Sequence, residues 1–238
     1  MDYALITAST AGIGFAIAQK LLKQGCYCYI NYAHNDERAE VASKKFSEIS
    51  NNFCILKADL SDINGVKTII EGVKNTPLKY VVLNCGITDK TPFGEITHKN
   101  WSKVFDSNVN MPFFLMQGLY DSMENESSIV LISSILGRHP HAMSVSYGVS
   151  KAAMSALCQN MVKILAPKKI RINALEPGFV DTDWQKEKPQ AQRANIENKI
   201  ALGRFAEPNE IADMCYNVLC NTYINGSIIP ICGGYSMS

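Results

Sequence analysis

The chain has 238 residues, of which 47% are hydrophobic and 19% are charged, so it has the length of one large or two small α/β domains and too many apolar residues for a disordered chain. Its 23 basic and 22 acidic side chains leave a formal net charge of +1, which excludes the strongly basic surface typical of nucleic-acid or acidic-membrane binding. The sequence has no apolar run of about 18 residues and no basic leader, so we predict a soluble, cytoplasmic protein without a nucleic-acid or membrane partner.

Short apolar runs alternate with longer amphipathic runs along the whole chain. The apolar runs predict seven strands, at residues 3–7, 26–32, 52–57, 80–83, 128–133, 170–175 and 227–231. The amphipathic runs predict six helices, near residues 12–23, 38–49, 63–75, 99–123, 145–165 and 209–219. This alternation is typical of a Rossmann-type, doubly wound sheet of seven parallel strands with helices on both faces.

A single domain over residues 1–238 accounts for this pattern, since no repeat, low-complexity tract or linker interrupts it. One polar stretch, at residues 183–200, follows a strand end, where ligands bind in parallel sheets, and we predict a mobile substrate lid there. The eight cysteines include no C-x-x-C pair, and no H-E-x-x-H motif occurs, so we predict reduced thiols and no metal site.

A glycine-rich turn follows the first predicted strand. It reads Thr7-Ala-Ser-Thr-Ala-Gly12-Ile-Gly14 and opens the first predicted helix. Backbone N–H groups at such a helix N-terminus can neutralise the pyrophosphate of a dinucleotide, and glycines let the phosphates approach the backbone. The spacing differs from G-x-G-x-x-G, so taken alone the turn could also be a tight strand-to-helix connection.

A tyrosine and a lysine lie four residues apart in the fifth helical run. Tyr147 and Lys151 therefore share one face of that helix. A cation beside a phenol favours the phenolate, so we predict that the pKa of Tyr147 is lowered towards neutrality, where the residue can act as a general acid or base. The helix is apolar on most sides, which predicts a buried Lys151 that needs a partner.

Further motifs occur in a fixed order along nearly the whole chain. The turn from Thr7 resembles T-G-x-x-x-G-x-G except that Ala8 replaces the first glycine. Ser134 lies 13 residues before Tyr147. Two further segments match motifs: Leu83-Asn84-Cys85-Gly86 matches N-N-A-G, and Pro177-Gly178-Phe179-Val180-Asp181-Thr182 matches P-G-x-V-x-T. Asn108 takes the place of an asparagine in the same set of motifs, and residues 202–211 and Gly233-Gly234 match its C-terminal signatures. In this combination the sequence resembles the short-chain dehydrogenase/reductase family.

The resemblance implies a catalytic set made of Asn108, Ser134, Tyr147 and Lys151. Tyr147 would donate a proton to a substrate carbonyl while a nicotinamide delivers hydride, and it would be the base in the reverse reaction. Ser134 would orient and polarise the carbonyl. Lys151 would lower the pKa of Tyr147 and bind the nicotinamide ribose, and Asn108 would hold a water that relays protons to Lys151.

The resemblance also implies which residues contact the nicotinamide dinucleotide. They are Thr7, Ser9, Thr10, Gly12, Ile13, Gly14, Tyr32, Asp59, Leu60, Asn84, Gly86, Ile132, Tyr147, Lys151, Pro177, Gly178, Val180 and Thr182. No carboxylate stands about 20 residues beyond the glycine turn, where Tyr32 lies, so NADP(H) is favoured over NAD(H). His34 and Arg38 are the nearby cations.

Within the family, the sequence most resembles 3-oxoacyl-[acyl-carrier-protein] reductases. This implies a 3-oxoacyl thioester substrate, a place in fatty acid biosynthesis, an acyl carrier protein partner and a homotetramer. A small ketone, a sugar or another secondary alcohol is the alternative substrate, and a non-catalytic dinucleotide-binding sensor is a further alternative. The cations that could contact an acidic carrier protein are Arg138, Lys186, Lys188 and Arg193.

Overall fold

A single parallel sheet organises the chain in a computed structural model, which describes residues 1–139, 144–186 and 188–235. The strands are β1 (Tyr3–Ile6), β2 (Tyr27–Tyr32), β3 (Phe53–Lys57), β4 (Leu78–Leu83), β5 (Met123–Ile132), β6 (Arg171–Pro177) and β7 (Ile228–Ile231). The order across the sheet is β3-β2-β1-β4-β5-β6-β7, and all the neighbouring strands run parallel. The chain thus forms one Rossmann-like domain, as the sequence predicts.

Helices cover both faces of the sheet, and each face has its own apolar core. The helices are α1 (Gly12–Lys23), α2 (Asp36–Ser47), α3 (Ile63–Gly72), α4 (His98–Phe105), α5 (Met111–Leu119), α6 (Val145–Leu165), α7 (Asp183–Lys186), α8 (Gln190–Glu197) and α9 (Pro208–Cys220). Successive residues of a strand point to opposite faces, so Leu5 joins the core beneath α3, α5 and α6, whereas Ala4 and Ile6 join the core beneath α1 and α9.

The helix predicted at residues 99–123 is wrong in its extent. A π-turn over Asp106–Asn110 separates α4 from α5, α5 ends at Leu119, and β5 begins at Met123 rather than at residue 128. The residues that follow Met123 are polar, so the first half of this strand lacks the apolar pattern that predicts a strand. Glu126 adopts a left-handed φ of 64°, which interrupts the pairing with β4 before it resumes at Ser128.

The polar stretch predicted as a lid contains two short helices, α7 and α8. Helix α8 rests on a small apolar cluster of Ile196, Ile200 and Phe205, which is separate from the two cores on the sheet. Residue 187 of this stretch and residues 236–238 of the predicted domain lie outside the described residues. The mobility of the lid stays a prediction.

None of the helices in the described parts of the chain is long and apolar enough to cross a membrane.

Ala8, which replaces the first glycine of the resembled motif, stands in a backbone conformation that favours glycine. Its φ is 49°, in the left-handed region where a Cβ crowds the backbone. The conformation is held from outside, because the N–H of Ala8 donates to the Asn31 side chain at 3.1 Å and the Ala8 carbonyl accepts from the Asn84 side chain at 3.0 Å. The turn therefore carries a small strain that the family's glycine avoids.

Ala8→Gly is expected to raise the free energy of unfolding by about 0.5 to 1 kcal/mol, since relief of the left-handed alanine exceeds the entropy cost of glycine in the unfolded chain. Urea denaturation measures the change. Ala166→Gly is the matched control, because the exposed Ala166 has a right-handed φ of −57°, so glycine brings only its entropy cost there and should lower the stability. An Ala8→Gly variant no more stable than the parent would contradict the strain.

Candidate active site

A cleft opens at the carboxyl ends of the central strands, where the sheet order reverses between β1 and β4. It holds a cavity of about 490 Å³. The glycine turn, the ends of β4, β5 and β6, and helices α6 and α7 supply its walls. The lining residues are Ala8, Ala11, Gly12, Ile13, Arg38, Asn84, Gly86, Ile132, Ser133, Ser134, Tyr147, Lys151, Pro177, Gly178, Val180, Thr182, Asp183, Trp184 and Gln185.

Buried amides and a hydroxyl tie the glycine turn to its neighbouring strands. Asn31, at the end of β2, donates to the carbonyls of Leu56 and Ala58 while its Oδ1 accepts from Ala8. On the other side, Thr7 Oγ1 accepts from the backbone N–H of Asn84 at 2.8 Å. These bonds fix the turn at the floor of the cleft.

The start of α1 fits the pyrophosphate of a dinucleotide. Its N-cap residue, Ala11, makes no side-chain cap, and no acidic side chain stands in the first turn. The N–H groups at this end are therefore available, and the helix dipole favours an anion. A Cβ on Gly14 would lie 2.4 Å from the Ala8 carbonyl oxygen, so only glycine lets α1 start this close to the turn.

Ser134, Tyr147 and Lys151 meet in the middle of this cleft. Ser134 follows β5, and the other two lie one turn apart on α6. The side chains of Ser134 and Tyr147 are hydrogen-bonded. Lys151 Nζ donates to the Ile132 carbonyl at 2.8 Å and lies 5.6 Å from the centre of the Tyr147 ring. The three predicted side chains thus form one group.

The predicted lowering of the Tyr147 pKa is wrong for this geometry. Burial raises the pKa of Tyr147 to about 12, and the hydrogen bond from Ser134 opposes that rise only in part. Burial lowers the pKa of Lys151 to about 8. Desolvation outweighs the attraction that the helical spacing suggested, so at neutral pH Tyr147 is a protonated phenol, which is the form that a general acid needs.

Asn108 lies in the π-turn between α4 and α5, behind the catalytic group. Its Oδ1 accepts from the backbone N–H of Ile87 at 2.7 Å, and its Nδ2 donates to the Ile87 carbonyl and to Ser150 Oγ, each at 2.9 Å. A Cβ on Gly86 would lie 3.1 Å from Lys151 Nζ, so the β4 loop passes directly against the ammonium. The side chain of Asn108 therefore positions that loop against α6.

A second, smaller cavity of about 150 Å³ adjoins the first. Ser134, Tyr147, Gly178, Trp184 and Gln185 line both cavities, so the catalytic group stands where they meet. The residues that line only the smaller one are Thr88, Lys90, Ile135, Leu136, Ser144, Gly148, Phe179, Lys188, Gln192 and Ile196.

Comparison with known proteins decides the family. Residues 7–236 match a family described as Enoyl-(Acyl carrier protein) reductase. The uncharacterized oxidoreductase YmfI of Bacillus subtilis is 33% identical over 240 residues, which cover 98% of each chain. The chain belongs to the short-chain dehydrogenase/reductase family. It is therefore an oxidoreductase of that family.

Other family members and their structures agree with this assignment. The 3-oxoacyl-[acyl-carrier-protein] reductase FabG of Aquifex aeolicus is 30% identical, over 97% of this chain and 95% of that protein. A short-chain dehydrogenase/reductase from Serratia marcescens superposes with a TM-score of 0.92 at 25% identity, covering 99% of this chain and 98% of that one. The angucycline C-6 ketoreductase LanV with bound NADP gives 0.93 at 26%, covering 100% and 96%.

The predicted cofactor contacts of this family member divide into two groups. Gly12, Ile13, Asn84, Gly86, Ile132, Tyr147, Lys151, Pro177, Gly178, Val180 and Thr182 line the larger cavity. Of the others, Thr7 and Ser9 are buried and use their hydroxyls to hold the turn. Those that do not line this cavity are Thr7, Ser9, Thr10, Gly14, Tyr32, Asp59 and Leu60.

The structure adds a buried network that the sequence did not reveal. Glu176, whose side chain is 1% exposed, accepts from Ser155 Oγ at 2.7 Å and pairs with Arg138 at 2.9 Å. Ser155 contacts Ser133, which donates to the Lys151 carbonyl at 2.7 Å. A carboxylate in β6 therefore anchors the backbone of α6 at the catalytic lysine.

Lys151→Met is expected to raise the free energy of unfolding at about pH 7 by about 2 kcal/mol. Removal of the buried cation raises the stability, and the loss of one hydrogen bond offsets part of that gain. The folded pKa, about 8, lies below the ordinary value of 10.5, so the native enzyme bears the cost of this charge below about pH 8. The advantage of the variant should shrink as pH rises from 8 to 10.5. Urea titrations at several pH values measure it, and an unchanged or smaller stability at neutral pH would contradict the argument.

Proposed function

We propose that this enzyme reduces a carbonyl group to a hydroxyl with NADP(H), with Tyr147 as the general acid. The observation that carries the proposal is the position of Ser134 and Tyr147, which line both cavities. The larger cavity, of about 490 Å³, adjoins the uncapped N-terminus of α1, which suits a dinucleotide. The smaller cavity takes the substrate. When bound, the dinucleotide supplies the hydride.

The residues of this chain divide the remaining work. Tyr147 holds a proton at its phenol oxygen and donates it to the substrate oxygen. Ser134 places a hydroxyl donor where negative charge develops on that oxygen. Lys151 contributes a buried positive charge at the cavity wall, and it would bind the nicotinamide ribose. Asn108 keeps the β4 loop and α6 in register, and a water held there would relay protons to Lys151.

A 3-oxoacyl thioester is the substrate we propose, with an acyl carrier protein as its donor. The support is the sequence resemblance and the 30% identity to a 3-oxoacyl-[acyl-carrier-protein] reductase. That relationship favours a role in fatty acid biosynthesis in the cytoplasm. A free ketone is the second candidate substrate. The apolar walls of the smaller cavity favour it, and so does the similarity of the whole chain to the ketoreductase LanV. In both cases residues 183–200 would act as the lid.

NADP(H) is the cofactor we propose, and Arg38 is the residue that supports it. Of the cations near the adenosine end, His34 pairs with Asp59 at 3.0 Å and Lys57 with Asp36 at 2.7 Å, whereas Arg38 lines the cavity. Tyr32, where an NAD-binding carboxylate is expected, is a phenol that donates to Asp36 at 2.7 Å. A guanidinium at this place suits a 2′-phosphate.

We also propose a homotetramer. The outer face of α6 carries exposed Val145 and Val149 in line with Ala152 and Ala156, and Phe114 is exposed on α5. Such an apolar stripe along a helix is typical of a surface that another copy covers. Light scattering of the purified chain should therefore give a mass four times the 26.3 kDa of one copy, and the mass of a single copy would contradict the tetramer.

The first experiment follows NADPH oxidation by the purified enzyme with acetoacetyl-CoA and with a small ketone. Tyr147→Phe should lower kcat by about 10² to 10⁴-fold, the usual range for loss of a general acid. Tyr223→Phe, at a 97% exposed tyrosine, is the control and should behave as the parent. Turnover that survives in Tyr147→Phe would overturn the general-acid role, and turnover of the ketone alone would replace the thioester.

The cofactor proposal predicts that Arg38→Gln raises the KM for NADPH by about 10 to 100-fold and leaves the KM for NADH unchanged, because a charged hydrogen bond to the 2′-phosphate is lost. Lys44→Gln, on the exposed side of the same helix, is the matched control. Equal KM changes for both dinucleotides would place Arg38 outside phosphate recognition.

A further inference from the structure

The smaller cavity carries two lysines on its wall. Lys90 comes from the loop after β4, and Lys188 from the segment between α7 and α8. No acidic side chain is among the described residues that line this cavity. Among these described lining residues, the excess of positive charge contrasts with the whole chain, whose formal net charge is only +1.

These two lysines differ from the other cations of this region. Arg138 pairs with Glu176, Lys186 with Asp183 and Arg193 with Asp181. Lys90 and Lys188 form no ion pair with any residue in the described ranges 1–139, 144–186 and 188–235.

The two charges also act on each other. Burial, and then repulsion from Lys90, lowers the pKa of Lys188. Two carboxylates adjoin these lysines in sequence: Asp89 is not among the residues that line the cavity, and its Oδ1 accepts from Thr91, whereas Glu187 lies outside the described residues. An anion between the lysines would relieve their repulsion, and the apolar walls around it would strengthen the attraction.

We propose that the smaller cavity binds substrates that carry an anionic group, a phosphate or a carboxylate, between Lys90 and Lys188. This rests on the proposed function, because it treats the cavity beside Tyr147 as the substrate site. The anion identifies the substrate class: a carbonyl compound with a charged group, in preference to a neutral ketone.

The test compares two pairs of substrates that differ only in the anion or its carrier. Acetoacetyl-CoA is paired with the neutral acetoacetyl-N-acetylcysteamine thioester, and 4-oxopentanoate with its methyl ester. Steady-state kinetics with NADPH are measured for the parent, Lys90→Gln and Lys188→Gln. Lys99→Gln, at an exposed lysine of α4, is the matched control.

We expect each cavity variant to lower kcat/KM for an anionic member by about 10 to 100-fold, the value of one lost charge-assisted bond. The neutral member of the pair, and the Lys99→Gln control with every substrate, should change less than about twofold on the same scale. A loss confined to the CoA pair identifies a phosphate of the carrier as the anion. A loss confined to 4-oxopentanoate identifies a free carboxylate.

Two outcomes overturn the inference, and they are distinguishable. If the parent turns over these substrates through Tyr147 but the lysine variants affect charged and neutral members alike, the anion site is wrong and the reductase function stands. If the parent turns over none of the four with NADPH, the proposed function fails and the anion site fails with it.

Discussion

The burial of one ammonium group governs the active site. Lys151 is 3% exposed, and the Ile132 carbonyl is the one hydrogen-bond acceptor that its Nζ has among the residues that the structure describes. An unpaired cation costs free energy in such surroundings, and this cost appears as the lowered pKa. The surrounding structure is arranged to hold the group in place: Ser133 binds the Lys151 carbonyl, and Gly86 leaves room for the ammonium itself. A charge held under this constraint acts at close range on whatever occupies the cleft.

The topology explains why the same place can hold a dinucleotide and a substrate. All strands of the sheet run parallel, so their carboxyl ends open into one cleft between β1 and β4, and the polar ends of the loops meet there. Asn31 and Asn84 reach the glycine turn from either side and hold its backbone in place at the start of α1. The strained Ala8 is tolerated because both of its backbone groups are held by these amides.

The sequence predicted the features that depend on short-range patterns. Strand alternation gives the sheet, and the four-residue interval between Tyr147 and Lys151 places both on one side of α6. Features that depend on distant contacts were missed. Glu176 lies in an apolar strand that gives no hint of its partner Arg138, 38 residues away. The Tyr147 pKa was predicted in the wrong direction because spacing reveals neighbours but not the loss of water around them.

The helix predicted through residue 123 failed for a related reason. Its apolar content continues through α5, and the polar residues after Met123 show no strand alternation, because a left-handed Glu126 breaks the pairing. The edge of an element is set by the neighbour that it pairs with, here β4, and a pattern within the segment contains no record of that neighbour.

The proposed proton donor and the proposed lid have different supports in the fold. Ser134 follows β5, and Tyr147 and Lys151 lie on α6; β5 and α6 both pack into the large cores of the sheet. Helix α8 rests on its own small cluster around Ile196, whereas Trp184 of α7 meets the Tyr147 ring edge to face, with 6.1 Å between the ring centres. The proposed lid therefore contacts the proposed general acid through an aromatic pair, while the apolar support of α8 is small.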